Sequence, residues 1–495
     1  MYVLGIDVGT TLTKALILTK EGKVAASGSK GYPLISNGSH IEQRAEDWTD
    51  GVIAAVEEAL KNLEENRKET GLGKYIEAIS LSTQGASCVA LNADDQPVGN
   101  ALTWMDFRAR EEAAELEEKL SPEYIYAATG WRASPSLDAA KIMHMKKQPE
   151  FASAVRFVST LEYINLFLTG NAVIDPTNAA MRQLFNIERG CWDPKILNAS
   201  GVREEELTPI LPTGAKVGEL SKDTAVKLKL RPGIPVFNGA HDQYCGAIGA
   251  GAVNDGDMLL SAGTTWVLLG IGTKPIVTGS YIAAGKHPVE GLYGALASLV
   301  GSGASMQWFK DQFIPEDFRE MDLEAAKRKD PDLFFYPYLV GAAYPLWVRN
   351  AKGAFTGITL QHDRFDLARA VMEGVAFGVK RGLEDYANNG IKVKQLILAG
   401  GAAKSKVWAE MIADITGISL VRLNQADICA IGAGIIAAHG LGWYRSYEEA
   451  ARAVTRVEHI YEPNDESRDY YEQKYRRYCE MWGFIQKFYE RESGK

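Results

Sequence analysis

The chain is poor in the residues that build disulfide frameworks, metal centres and basic binding surfaces. Only five cysteines (Cys88, Cys191, Cys245, Cys429 and Cys479) occur in 495 residues. They are scattered and never spaced C-x-x-C, which argues against a disulfide scaffold and a structural zinc site. The seven histidines show no H-x-x-x-H spacing, so a transition-metal enzyme is not expected. Basic residues number 54 against 63 acidic ones, a net charge of −9, whereas nucleic-acid and anionic-membrane binders need a concentrated basic surface. No apolar run approaches the ~18 residues of a membrane span. The opening MYVLGIDVGTT has neither the basic n-region nor the small-residue cleavage site of a secretory signal. A cytoplasmic protein with no nucleic-acid or membrane partner is expected. Neither a Walker A loop nor G-x-G-x-x-G opens the chain, so P-loop and Rossmann mechanisms lack support.

What is present is an alternation of strands and helices, which places the chain in the α/β class. The start reads as an antiparallel meander: strand 2–8, turn Gly9-Thr10-Thr11, strand 14–19, turn Glu21-Gly22, strand 23–27. A helix is predicted over 47–66, with Val52, Val56 and Leu60 on one stripe. Short strands are predicted at 78–81 and 89–91 and a helix near 109–119. Strand 234–238 leads into a Gly/Ala-rich stretch, 239–252. Strand 257–261, turn Gly263-Thr264-Thr265 and strand 266–271 then repeat the pattern of the N-terminus. LGIDVGTTLTKALIL and MLLSAGTTWVLLG are two copies of one supersecondary unit, which predicts two similarly built domains meeting near 245–255. Helix 367–388, strand 395–398, helix 406–416, strand 420–423, the small-residue helix 429–439 and a charged, tyrosine-rich helix from Asp465 complete the pattern.

Four places carry chemistry. In Asp7-Val8-Gly9-Thr10-Thr11 the glycine lets backbone approach a phosphate, and turn N–H groups and Thr hydroxyls donate to it. Asp7 is of the type that holds hydrated Mg²⁺ together with phosphates. A plain hairpin turn is the alternative. Gly263-Thr264-Thr265 repeats the donors but has Ser261 where the first copy has Asp7, so one copy carries the metal and the other only phosphate. Asp242, after an apolar strand and before small residues, is a general base toward a hydroxyl or else a helix-capping Asp; His241 is read as packing or supporting it. Gly400-Gly401-Ala402 provides a flat backbone for an adenosine, or only a tight turn. Trp408 and Met411 beyond it are read as core.

Together these segments resemble the FGGY carbohydrate kinases. The resemblance is carried by GIDVGTTLTKALIL, LSTQGASCVALN, TWMDFRAR, NGAHDQYCGAIGAG, LLSAGTTWVLLG, GAFTGITLQHDRFDLARAVMEG, LILAGGAAKSKVWAEMIADITG and ICAIGAGIIAAHG, in order along the chain. It is most specific over 353–373. It is weaker over 136–147, where His144 replaces the usual Trp. The resemblance implies two actin-like, ribonuclease-H-like domains with ATP and a sugar in the cleft between them. The expected units are 1–248, 249–460 and a C-terminal amphipathic helix, 461–495. It implies Asp7 as the magnesium-associated carboxylate, Thr10, Thr11 and Lys14 in the first phosphate loop, and Gly263, Thr264 and Thr265 in the second. It further implies Gly400, Gly401 and Ala402 at adenosine, Asp242 as catalytic base, and Gln84, Trp104, Asp106 and Arg108 on the sugar side. The expected activity is ATP- and Mg²⁺-dependent phosphorylation of a sugar, ketose, polyol or sugar acid. An actin-like ATPase switch or chaperone with no small-molecule acceptor is the alternative. The assembly is left open, a homodimer among the options. One position departs from familiar members: after Gln84, glycerol kinases have Arg-Glu and xylulokinases Met-His, whereas here Gly85-Ala86 follow. Either the gap admits a larger substrate, or another segment fills it.

Overall fold

A computed structural model of the protein describes residues 1–277, 281–342, 344–345, 348 and 350–493. The apolar opening segment forms strand Tyr2–Val8, in which Val3, Leu4, Ile6 and Val8 are all at most 1% exposed. Burial on both faces explains why it reads as a continuous apolar run rather than an alternation. It pairs antiparallel with Leu12–Thr19, which pairs with Val24–Gly31. On its other side lie Ile76–Thr83 and Pro235–His241, both parallel to it, and then antiparallel Lys216–Glu219. Helix Ala45–Arg67 covers this six-stranded sheet with the stripe Trp48, Val52, Val56 and Leu60.

The second half repeats the arrangement. Its central strand, Asp257–Ala262, pairs antiparallel with Trp266–Gly272, which pairs with Tyr293–Leu299. On the other side follow parallel Gln395–Gly400 and Leu420–Leu423, then antiparallel Val457–Tyr461. An extra edge strand, Ala283–Lys286, makes this sheet seven-stranded. Strand order and direction otherwise match the first sheet, and each Gly-Thr-Thr turn closes the first hairpin of its half. The fold is α/β, built of two ribonuclease-H-like, actin-like domains.

Several boundaries move. The second and third strands start at Leu12 and Val24 and the third runs to Gly31. The glycine-rich stretch expected from 239 is strand as far as His241, and the next helix begins at Asp242 itself. A Cβ at Gly239 would collide with the Leu81 carbonyl of the neighbouring strand, so glycine there permits close backbone approach rather than a turn. The strand expected at 89–91 is Cys88–Leu91 and belongs to a third sheet of five short strands; that sheet's other members, among them His40–Gln43 and Ala101–Leu102, and helices Pro122–Thr129, Asp138–Lys147 and Thr160–Thr169 went unread in the sequence. Helix Asp465–Ser493 packs into the second domain's core through Tyr471, Tyr475, Tyr478 and Trp482; the Tyr336 and Tyr478 rings stack at 4.6 Å. Among the described residues, no helix is long and apolar enough to cross a membrane.

The halves meet where helix Asp242–Ala250 crosses helix Ile428–Gly440. A Cβ at Gly249 would overlap the Ile428 carbonyl oxygen, and one at Gly432 the Cys245 carbonyl oxygen. Gly378, inside helix Arg364–Asn388, faces open space instead. Gly432→Ala is therefore expected to destabilise by ~1–3 kcal/mol through overpacking, and Gly378→Ala to stabilise by up to ~1 kcal/mol through helix propensity. Denaturant midpoints of the two variants against wild type check both signs.

Candidate active site

The C-terminal ends of the first domain's strands converge on one floor of the interdomain cleft. The Gly9–Thr11 turn is held by its carbonyls: Tyr32 Oη donates to Gly9 O at 2.5 Å, Gln43 Nε2 to Thr10 O at 2.7 Å, and the Tyr32 amide to Thr11 O at 3.0 Å. Trp104 Nε1 donates to Thr10 Oγ1 at 3.0 Å while its ring stays exposed, which ties the Trp104 loop to the turn.

Beneath the turn sits Asp7, which accepts a hydrogen bond from Ser82 Oγ at 2.6 Å. Burial pushes its carboxyl up to about 7, against the Ser82 bond and the Lys14 charge, and Asp242 and Asp427 push the same way. The site thus concentrates negative charge and oxygen donors that a cation would relieve. Lys14 Nζ pairs with the Asp427 carboxylate, which reaches over from the second domain at the start of helix Ile428–Gly440. Burial works against the Lys14 ammonium, but Asp427 and Asp7 hold it above the usual lysine range. Among the described residues no group of three or more His, Cys, Asp or Glu side chains is built to hold a metal unaided.

Asp242 is the first residue of its helix, directly after the strand that ends at His241. Its Oδ1 lies 3.2 Å from His241 Nε2 and has no hydrogen-bond partner. Gln84 begins the turn beside it: its amide donates to Val8 O at 2.9 Å, its Nε2 to Gln43 Oε1 at 2.9 Å, and its buried Oε1 is unpartnered. The space beside Gly85 is filled. A Cβ there would lie 2.6 Å from His241 Cδ2 and 3.0 Å from Met181 Cγ. Of the two readings of Gly85-Ala86, the structure selects the one in which another segment occupies the gap. Ala86 adopts φ +49°, and its carbonyl accepts from Lys141 Nζ at 2.6 Å. Lys141 is wholly buried, which lowers its ammonium to about 8. Asp106 and Arg108 face each other: Arg108 Nη2 donates to Asp106 at 2.7 Å and to Glu42 at 2.5 Å, and the Ile41 amide donates to Asp106 at 2.8 Å. Against burial, the Arg108 guanidinium and the backbone amides of Arg108 and Ile41 hold Asp106 below the usual carboxylate range.

In the second domain a cavity of about 1110 Å³ runs from Gly263 and Thr264 to Gly401 and Ala402. Thr265 and Gly400 lie outside its lining. Gly400 serves instead at φ +92°, where a Cβ would meet the Ala262 carbonyl oxygen at 2.7 Å. Trp408 was read as core alone. It is buried, donates to Met372 O at 3.1 Å and packs 4.9 Å from Trp266, yet it also lines the cavity; Met411 is core only. Gln43, Ser82, Lys141 and Asp427 escaped the sequence reading. For Lys141 the signal was its place within 136–147.

Two homologous sheets with paired phosphate-type turns and a nucleotide-sized cavity define the class as an actin-like phosphotransferase. Models of the N-terminal and C-terminal domains of the FGGY family of carbohydrate kinases match residues 2–249 and 258–441. The chain belongs to the FGGY family and is a carbohydrate kinase; kinases of this family use ATP, and the ATPase-switch alternative is not favoured. It is 31% identical over 464 residues to a xylulose kinase of Bacillus subtilis, covering 92% of this chain and 91% of that one. A gluconokinase of the same organism is 28% identical over 477 residues, 92% and 90% of the two chains. The solved gluconate kinase of Lactobacillus acidophilus superposes with a TM-score of 0.90 at 26% identity over 99% of both chains.

Removing the buried ammonium from the Ala86 carbonyl generates a stability prediction. Lys141→Met leaves that acceptor unpaired, and a loss of ~1–3 kcal/mol is expected, read as a lowered denaturant midpoint.

Proposed function

We propose that Asp242 takes the proton from a hydroxyl of a sugar, ketose, polyol or sugar acid as that oxygen attacks the γ-phosphorus of ATP. The new bond is oxygen to γ-phosphorus, the bond broken is that to the β,γ-bridging oxygen, and ADP leaves. The observation that carries this is Asp242 itself: a carboxylate at a strand end, one oxygen without a protein partner, next to Asp7 and the first Gly-Thr-Thr turn. Relatives named xylulose kinase and gluconokinase support a ketose or a sugar acid as the acceptor.

In this reading Thr10, Thr11 and Lys14 bind phosphate oxygens from one side and Gly263, Thr264 and Thr265 from the other, with adenosine in the cavity beside Gly400, Gly401 and Ala402. Lys14 leaves Asp427 for the nucleotide. Gln84 and Trp104 face the sugar. Asp106 and Arg108, bonded to each other, hold the Trp104 loop from behind. Asp7 and its oxygen-rich surroundings suit Mg²⁺, which prefers one or two carboxylates completed by phosphates and waters; when bound, the ion neutralises charge on the transferring group. The working units are 1–248 and 249–460, with the C-terminal segment expected from 461, whose helix starts only at Asp465 after strand Val457–Tyr461 and is described to Ser493, attached to the second. An ATP-consuming kinase works where ATP is, so the cytoplasm is its proposed compartment.

Asp242→Asn is expected to lower turnover by ~10²–10⁴ while ATP affinity changes only a few-fold; retention of more than about a tenth of the activity would remove the base assignment. Titration of Mg²⁺ separates the two hairpins. Asp7→Ala should raise the Mg²⁺ requirement and cut turnover, and Ser261→Ala should do neither, whereas equal losses would contradict the division between them.

A further inference from the structure

Gly85 and His241 belong to one device. The His241 side chain is 7% exposed, and its Nδ1 has no hydrogen-bond partner in the protein. Its other ring edge presses on the place where a side chain at 85 would begin, with Cδ2 at 2.6 Å and Nε2 at 2.9 Å from that Cβ position. Nε2 is also 3.2 Å from Asp242 Oδ1. The backbone behind the ring is fixed: the His241 amide donates to Thr177 Oγ1 at 2.8 Å, and Thr177 Oγ1 donates to Asp175 at 2.7 Å. Asp175 caps helix Pro176–Met181, whose last residue is the other neighbour of Gly85. One side-chain atom each of Gln84, His241 and Asp242 lacks a hydrogen bond, and these residues lie at two neighbouring strand ends where His241 stands in register with Thr83. Buried polar atoms in native sites are paired, so an unpaired set of this kind marks where a polyhydroxylated ligand supplies the partners.

We propose that His241 is a specificity-determining residue, whose imidazole hydrogen-bonds a hydroxyl of the acceptor next to the one Asp242 deprotonates, and that Gly85 is glycine so that this ring can stand there. The inference rests on the function proposed above for Asp242.

The test is a steady-state comparison of wild type, His241→Asn and Gly85→Ala. The panel is D-xylulose, D-gluconate, other pentuloses and hexuloses, and deoxy analogues of whichever sugar is turned over best. In wild type one deoxy analogue is expected to be penalised in kcat/KM by about tenfold to a hundredfold, as for a lost hydrogen bond. In His241→Asn that penalty should collapse, and sugars should change rank. Gly85→Ala, which keeps the imidazole but displaces it, should move in the same direction, and the KM for ATP should stay within about twofold in both. A uniform fall in kcat with every sugar ratio and every deoxy penalty preserved would make His241 only a support for Asp242 and overturn the proposal. If wild type phosphorylates no sugar of the panel, the function proposed above fails and takes this inference with it. If it does and the ratios hold in both variants, only the His241 assignment fails.

Discussion

Everything at the cleft depends on two helices touching backbone to backbone. Helix Asp242–Ala250 and helix Ile428–Gly440 cross with Gly249 against the Ile428 carbonyl and Gly432 against the Cys245 carbonyl. The second helix also lies on strand Tyr2–Val8, where Gly5 faces the Ala430 carbonyl. Any side chain at these points would push the halves apart. Because the first helix begins with Asp242 and the second is entered through Asp427, their separation sets how the two carboxylates stand toward Asp7 and Lys14. A packing constraint with no chemistry of its own thereby fixes the electrostatics of the site.

Within the duplicated architecture the two hairpins differ in whether a carboxylate stands beside the turn. Both domains present a Gly-Thr-Thr hairpin at the same place in the same strand order. In the first, Asp7 sits on the strand leading into the turn, over Ser82 and near Asp242; in the second, Ser261 takes that position and the neighbouring volume is an apolar cavity flanked by Trp266 and Trp408. The symmetry supplies two matched sets of backbone donors. The departures from it distinguish a charged floor from a flat-walled pocket.

Much of this was legible in the sequence because the relevant segments are regular and locally encoded. The two hairpins, helix Ala45–Arg67 and the strand before Asp242 announce themselves by apolar runs and helical spacing. Of the inserted sheet only the strand at 89–91 does. Ala101–Leu102 is two residues long and owes its place to distant partners, such as the Thr103 amide on Ile41 O at 3.1 Å. Gly85 was legible as an absence, but no local pattern says that a histidine far along the chain takes its room. Asp106 and Arg108, close in sequence, turned out to neutralise each other, an outcome that spacing alone leaves open. Lys141 is a buried cation on a backbone carbonyl, and helical periodicity gives no sign of such a partner.

The C-terminal helix imposes an order on how the protein comes into being. The first sheet is complete once His241 has been made. The second domain's core still lacks Tyr471, Tyr475, Tyr478 and Trp482, and with them the Lys474 ammonium that caps the buried Glu373. Domains fold as units, N-terminal first, during synthesis. A ribosome-bound chain therefore carries a folded first domain beside a second whose Phe334, Tyr336 and Phe377 rings stay uncovered until the helix that bears Tyr475 and Tyr478 emerges. The interval before helix Asp465–Ser493 docks is when this half is open to misassembly.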